Sequence, residues 1–99
     1  MKVIFAPAAT RELLEIGERI RKENPARAVT FVDEIIDHCY SLTELPRRHP
    51  LVPRYEHWGI RRCVHGNYLI FYRVREEAID IVHVLPGASD YESLLFPDA

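Results

Sequence analysis

Arg61, Arg62, Arg73, His65, His83 and Tyr91 are the residues of this chain whose types could do acid–base or phosphate chemistry. Metal-free cleavage of RNA needs a base for the 2′-hydroxyl, an acid for the leaving oxygen and cations for the phosphorane charge. Arg62 and Arg73 share a strand face in the register derived below, which would bring their guanidiniums to one phosphate. The competing reading is structural. Both arginines then flank a sheet edge or pair with Asp80 and nearby glutamates, while their stems cover apolar surface.

His83 falls with Ile79, Ile81 and Leu85 in a period-two pattern, and a lone histidine on an apolar face is more often a hydrogen-bonded core residue than a catalyst. Cys63 and His65 lie two apart on one strand face. A thiolate pair there would need a third, orienting group, and strand neighbours of this kind point in parallel. Metal binding has little support from spacing: His38 and Cys39 are adjacent on a helix and so point about 100° apart, and no ligand pair shows the usual short spacing. Arg47-Arg48-His49 is the densest basic segment, best read as a solvated loop. No glycine loop fit to cradle phosphate is present. No catalytic residue, metal or cofactor is therefore assigned. Arg62, Arg73, His83 and Tyr91 are the set that an RNA-cleaving alternative would use.

The elements that must position these residues are legible in the pattern of side chains. Residues 59–85 hold three runs rich in Val, Ile, Tyr and Phe, divided by turn signals, which reads as a three-stranded antiparallel meander. Gly66-Asn67 suits a type II′ hairpin, with Gly as the first loop residue. That turn pairs His65 with Tyr68, Cys63 with Ile70, Arg62 with Phe71 and Arg61 with Tyr72. Ile60, Arg62, Val64, Leu69, Phe71 and Arg73 then share one face, and Arg61, Cys63, Ile70, Tyr72 and Val74 the other. Both faces are largely apolar. One layer of helices cannot cover both, so either the end of the chain or a partner must cover the second.

Upstream, residues 2–6 form a short β-prone run, and Pro7 fits the first turn of a helix. Ala9, Leu13, Ile16 and Ile20 mark one helical face, with Arg11, Glu12, Glu15, Glu18, Arg19 and Arg21 polar and Glu15–Arg19 a favourable pair. Asn24-Pro25 closes this helix and caps the next, whose stripe runs through Ala28, Phe31, Ile35, Cys39 and Leu42. So short a turn makes the two helices an antiparallel hairpin. Pro46, Pro50 and Pro53 make residues 45–54 an extended connector. Ser89 and Glu92 form a capping-box pattern ahead of a short helical segment that could carry Leu94, Leu95 and Phe96 back onto the sheet. The expected fold is α+β: an N-terminal strand, an antiparallel helical hairpin on a three- to four-stranded, mainly antiparallel sheet, and a short C-terminal helical segment.

The bulk numbers bound the class. Ninety-nine residues, with 47% apolar and 28% charged, make one ordinary globular domain spanning 1–99. No apolar run approaches the roughly 20 residues that cross a bilayer. Val3–Ala6 meets Arg11 and Glu12 too soon for a signal peptide, so a cytoplasmic protein without membrane association is expected. Cys39 and Cys63 lie on different elements and read as buried free thiols. With 13 basic and 15 acidic residues, overall charge gives no help to direct nucleic-acid binding.

The strand, the helical hairpin, the runs Gly-Ile-Arg-Arg, Asn-Tyr-Leu-Ile-Phe-Tyr and Ile-Asp-Ile-Val-His-Val-Leu, and the tail Pro86-Gly87-Ala88-Ser89-Asp90-Tyr91-Glu92-Ser93-Leu94-Leu95 together resemble the RelE/ParE superfamily of bacterial type II toxins. The resemblance covers nearly the whole chain and implies a growth-arresting toxin neutralised by a cognate antitoxin, ParD-like or another small protein, in a hetero-oligomer. RelE-like members cut messenger RNA on the ribosome; ParE-like members poison DNA gyrase. In many relatives a His follows the last strand and an Arg precedes the Asp, and here those positions hold Pro86 and Ser89. Their loss removes a proton donor and a phosphate-binding fork. The chain thus resembles the ParE-like branch, which implies gyrase as target, with RelE-like messenger RNA cleavage as the alternative. The candidate partner-binding residues are Arg61, Arg62, Arg73, Tyr91, Leu94, Leu95 and Phe96.

Overall fold

The structure is a computed structural model, and it describes residues 1–97. The chain runs β1 (Lys2–Phe5), α1 (Pro7–Arg21), α2 (Pro25–Ser41), a 3-10 turn (Glu56–Trp58), β2 (Ile60–His65), β3 (Tyr68–Val74), β4 (Ala78–Pro86) and α3 (Tyr91–Leu95). Proline opens both long helices, and Asn24 Oδ1 accepts the Arg27 N–H at 3.1 Å. Arg19, expected to pair with Glu15, instead donates to the Tyr68 hydroxyl at 3.3 Å, and Arg21 takes Glu18.

The sheet order is β1-β4-β3-β2. β1 pairs with β4 in parallel, a connection that requires the intervening crossover. β2 and β3 pair in the register set by Gly66-Asn67, from His65 with Tyr68 to Arg61 with Tyr72. Gly66 has φ 59°, the left-handed backbone that a leading glycine supplies.

One departure from period two matters. Between β3 and β4 the register shifts, with Phe71 opposite His83 but Tyr72 opposite Ile81. The extra residue is a β-bulge, and it breaks the face assignment that joined His83 to Leu85. Ile79, Ile81 and Val84 pack under the helices, whereas Leu85 belongs to the opposite core.

Two cores result. The helices cover Cys63, Ile70, Tyr72, Ile79 and Ile81 with Ala9, Leu13, Ile16, Ile35 and Cys39. On the other face, Ile60, Phe71 and Leu85 lie under Val52 of the connector and Leu95 and Phe96 of the tail. Tyr55 stacks on Phe96 with centroids 4.1 Å apart, and Trp58 meets the same ring at 5.2 Å. The second face is therefore covered mostly by the chain itself rather than held open for another polypeptide. Val64 and Leu94 stay exposed on it.

The capping box does not form. Asp90 rather than Ser89 stands at the N-cap of α3 and makes no side-chain cap, and the Ser89 hydroxyl donates to the Pro86 carbonyl at 2.6 Å. Glu92 pairs with Arg54 at 3.0 Å.

Phe96→Ala should destabilise the protein by about 3–5 kcal/mol, since it empties the centre of the second core. A urea titration would show the lowered midpoint, and an unchanged midpoint would contradict this packing.

Candidate functional site

The arginine–tyrosine set is split by the sheet. Arg62 and Arg73 lie on the face covered by the tail. Arg62 Nη1 donates to the Tyr91 hydroxyl at 2.6 Å, and the Tyr91 ring leans on Phe71 with centroids 5.0 Å apart. Arg73 is exposed and makes a long contact to the Trp58 carbonyl, 3.4 Å. Leu94 on α3 is exposed, whereas Leu95 and Phe96 are buried in the second core. Those two can serve a partner only by holding the tail that presents Leu94 and Tyr91.

Arg61 and His83 point the other way. Arg61 Nη1 donates to the carbonyls of Arg47 and His49, at 3.2 and 2.7 Å, and so fastens the connector to β2. His83 Nδ1 donates to Glu12 Oε2 at 2.7 Å, beneath α1. Arg62, Arg73, His83 and Tyr91 therefore do not converge on one phosphate.

Glu12 was read as part of the polar face of its helix, and it is buried. Its Oε1 also accepts the Val84 N–H at 2.9 Å, so one carboxylate satisfies both His83 and a backbone donor beside the bulge. A signal existed. Glu12 lies three residues after Ala9 and four before Ile16, inside the apolar stripe.

A second cluster had no signal in sequence spacing. His38 on α2, His49 in the connector and Cys63 on β2 bring donor atoms within 4.8 Å of one another. Cys63 Sγ is 3.2 Å from His38 Nε2, and His38 Nδ1 is 2.8 Å from His65 Nδ1. Burial, then the charges of His65, His49 and Arg48, hold His38 below its ordinary value. Burial raises the Cys63 thiol, with Arg48 opposing. Both shifts favour neutral partners, the reverse of what a thiolate–imidazolium nucleophile requires. Cys39 is buried and free, its thiol pushed up to about 12 by burial and then by Cys63.

Solved toxin–antitoxin structures share this architecture. The chain superposes on one from the chromosomal ParDE system of P. aeruginosa with a TM-score of 0.75 and 18% identity, covering 87% of this chain and 95% of that one. A chain of the RelBE2 toxin–antitoxin complex of Mycobacterium tuberculosis gives 0.63 and 23%, with 86% and 95% covered. No curated protein sequence matches. The fold is that of the RelE/ParE superfamily of type II toxins. A sequence profile described as the ParE toxin of the type II toxin–antitoxin system parDE matches residues 3–91, and the chain belongs to that family.

Glu12→Ala should cost about 1–3 kcal/mol by leaving the buried Val84 N–H unpaired, whereas Glu12→Gln, which keeps an acceptor, should cost less; denaturant titrations of both variants test the order. A pH effect follows from His38 and His49, both held low, His49 by burial and then Arg48. The unfolded chain takes up these protons first, so their contribution to stability is lost as pH falls below about 6.5. His49→Gln should make the decline shallower in urea midpoints taken from about pH 7 to pH 5.

Proposed function

We propose that this toxin is a non-enzymatic effector that binds DNA gyrase in the cytoplasm and arrests growth, and that a cognate antitoxin neutralises it in a hetero-oligomer. The observation that carries this reading is the division of the candidate ribonuclease residues. His83 is bound to Glu12 under α1, while Arg62, Arg73 and Tyr91 lie across the sheet. Pro86 and Ser89, bonded to one another, supply neither an imidazole nor a guanidinium next to them. Membership of the ParE family supports the same target. Among the described residues no helix is long and apolar enough to cross a membrane, in keeping with a target met in solution.

A gyrase-binding surface needs shape and charge rather than reacting groups. Arg73, the Arg62–Tyr91 pair and exposed Leu94 supply these on one side. For the antitoxin, the groove between α1 and α2 offers about 320 Å3 lined by Leu13, Leu14, Gly17, Val29 and Val32. Leu14 and Val29 are 67% and 65% exposed there, so an amphipathic segment would bury apolar surface now in water. The two solved structures compared above both come from toxin–antitoxin systems.

Controlled expression without antitoxin tests the target. Filamentous cells with DNA-damage signalling are expected, together with inhibition of purified gyrase. Immediate collapse of protein synthesis with cleaved messages, abolished by Arg62→Ala or Arg73→Ala at unchanged stability, would overturn the gyrase reading in favour of messenger RNA cleavage.

A further inference from the structure

We propose that His38, His49 and Cys63 form a zinc site that fastens the proline-rich connector to α2 and β2. The three donors come from three separate elements and meet within 4.8 Å. Two imidazoles and one thiol are the donor set that borderline-soft Zn2+ takes in proteins. With Zn–S of about 2.3 Å and Zn–N of about 2.0 Å, tetrahedral zinc holds sulfur and nitrogen about 3.5 Å apart. Cys63 Sγ and His38 Nε2 are 3.2 Å apart, so this pair is within a few tenths of an ångström of that spacing, and His49, on the connector, closes the remaining distance within the 4.8 Å cluster.

The group behind the cluster also suits a metal. His38 Nδ1 lies 2.8 Å from His65 Nδ1, and when Nδ1 carries the proton it donates to His65 and leaves Nε2 with its lone pair toward Cys63. Metal-binding histidines are held in the same way, one ring nitrogen ligating and the other donating to a fixed acceptor. His49 reaches the cluster because the connector carbonyls on either side of Arg48 are tied down by Arg61. A cavity of about 80 Å3 opens beside His38 and His49, with Glu44 and Arg48 on its rim. Solvent therefore has access to the cluster on that side.

Binding is balanced in protons. Zn2+ replaces the proton of the Cys63 thiol, which leaves to solvent, and the two imidazoles bind as neutral ligands. The site joins three separate elements, so zinc bound only to the folded state would raise its stability.

The test uses the full chain, reduced and stripped of metal, titrated with Zn2+ against a chromophoric chelator and with Co2+ in an absorption spectrometer. One zinc per chain is expected, with a thiolate-to-cobalt charge-transfer band that Cys63→Ser removes. His49→Ala, on a partly exposed connector position, should weaken zinc at least about tenfold and abolish the zinc-induced rise in Tm; exposed His57→Ala should change neither. Should Cys63→Ser fail to fold, the His49→Ala comparison decides alone. Equal zinc affinity in the wild type and His49→Ala, or a cobalt complex without the thiolate band, would overturn the proposal.

Discussion

Phe71 and Tyr72 are neighbours in β3, point to opposite sides of the sheet, and are both fully buried. Everything else follows from that double demand. A strand apolar on both faces is stable only between two layers, and a chain of this size has one helical hairpin to offer. The helices close over Tyr72. Over Phe71 the protein uses irregular segments, Val52 from the connector and Leu95 and Phe96 from the tail, stacked through Tyr55 and Trp58.

This division explains how the surface is apportioned. Arg61 is occupied by connector carbonyls, and Tyr72 donates to the Pro46 carbonyl at 2.8 Å, so the connector is anchored on the helical side of the sheet as well. His83 is held by Glu12, at the place where the bulge lets both His83 and the Val84 N–H reach the carboxylate. The groups still presented outward are Arg73, Arg62 with Tyr91, and Leu94 on one side, and Leu14 and Val29 on the helices.

The fold was largely legible in the sequence because its strongest signals are local. Gly66-Asn67 sets the β2–β3 register, Pro7 and Pro25 set the helix starts, and strict alternation through residues 60–74 assigns the faces. The bulge was not legible, since Ile81, Val82, Val84 and Leu85 are apolar under either register and alternation cannot tell which residue is extra. Ser89 does not cap because α3 begins one residue later, with Asp90 at the N-cap, and the Ser89 hydroxyl donates to the Pro86 carbonyl instead of accepting a helix N–H. The grouping of Arg62 with Arg73 could be derived from the pleat, whereas the meeting of His38, His49 and Cys63 depends on the path of the connector, which no spacing rule describes.

The parallel pairing of β1 with β4 has a temporal consequence. Lys2 aligns with Ala78 and Phe5 with Ile81, so the first strand to leave the ribosome has no partner until the last strand has followed it. The tail that seals Phe71 emerges later still. A nascent chain is therefore incomplete on both sides of its sheet until β4 and then the tail have emerged, and topology alone sets that order.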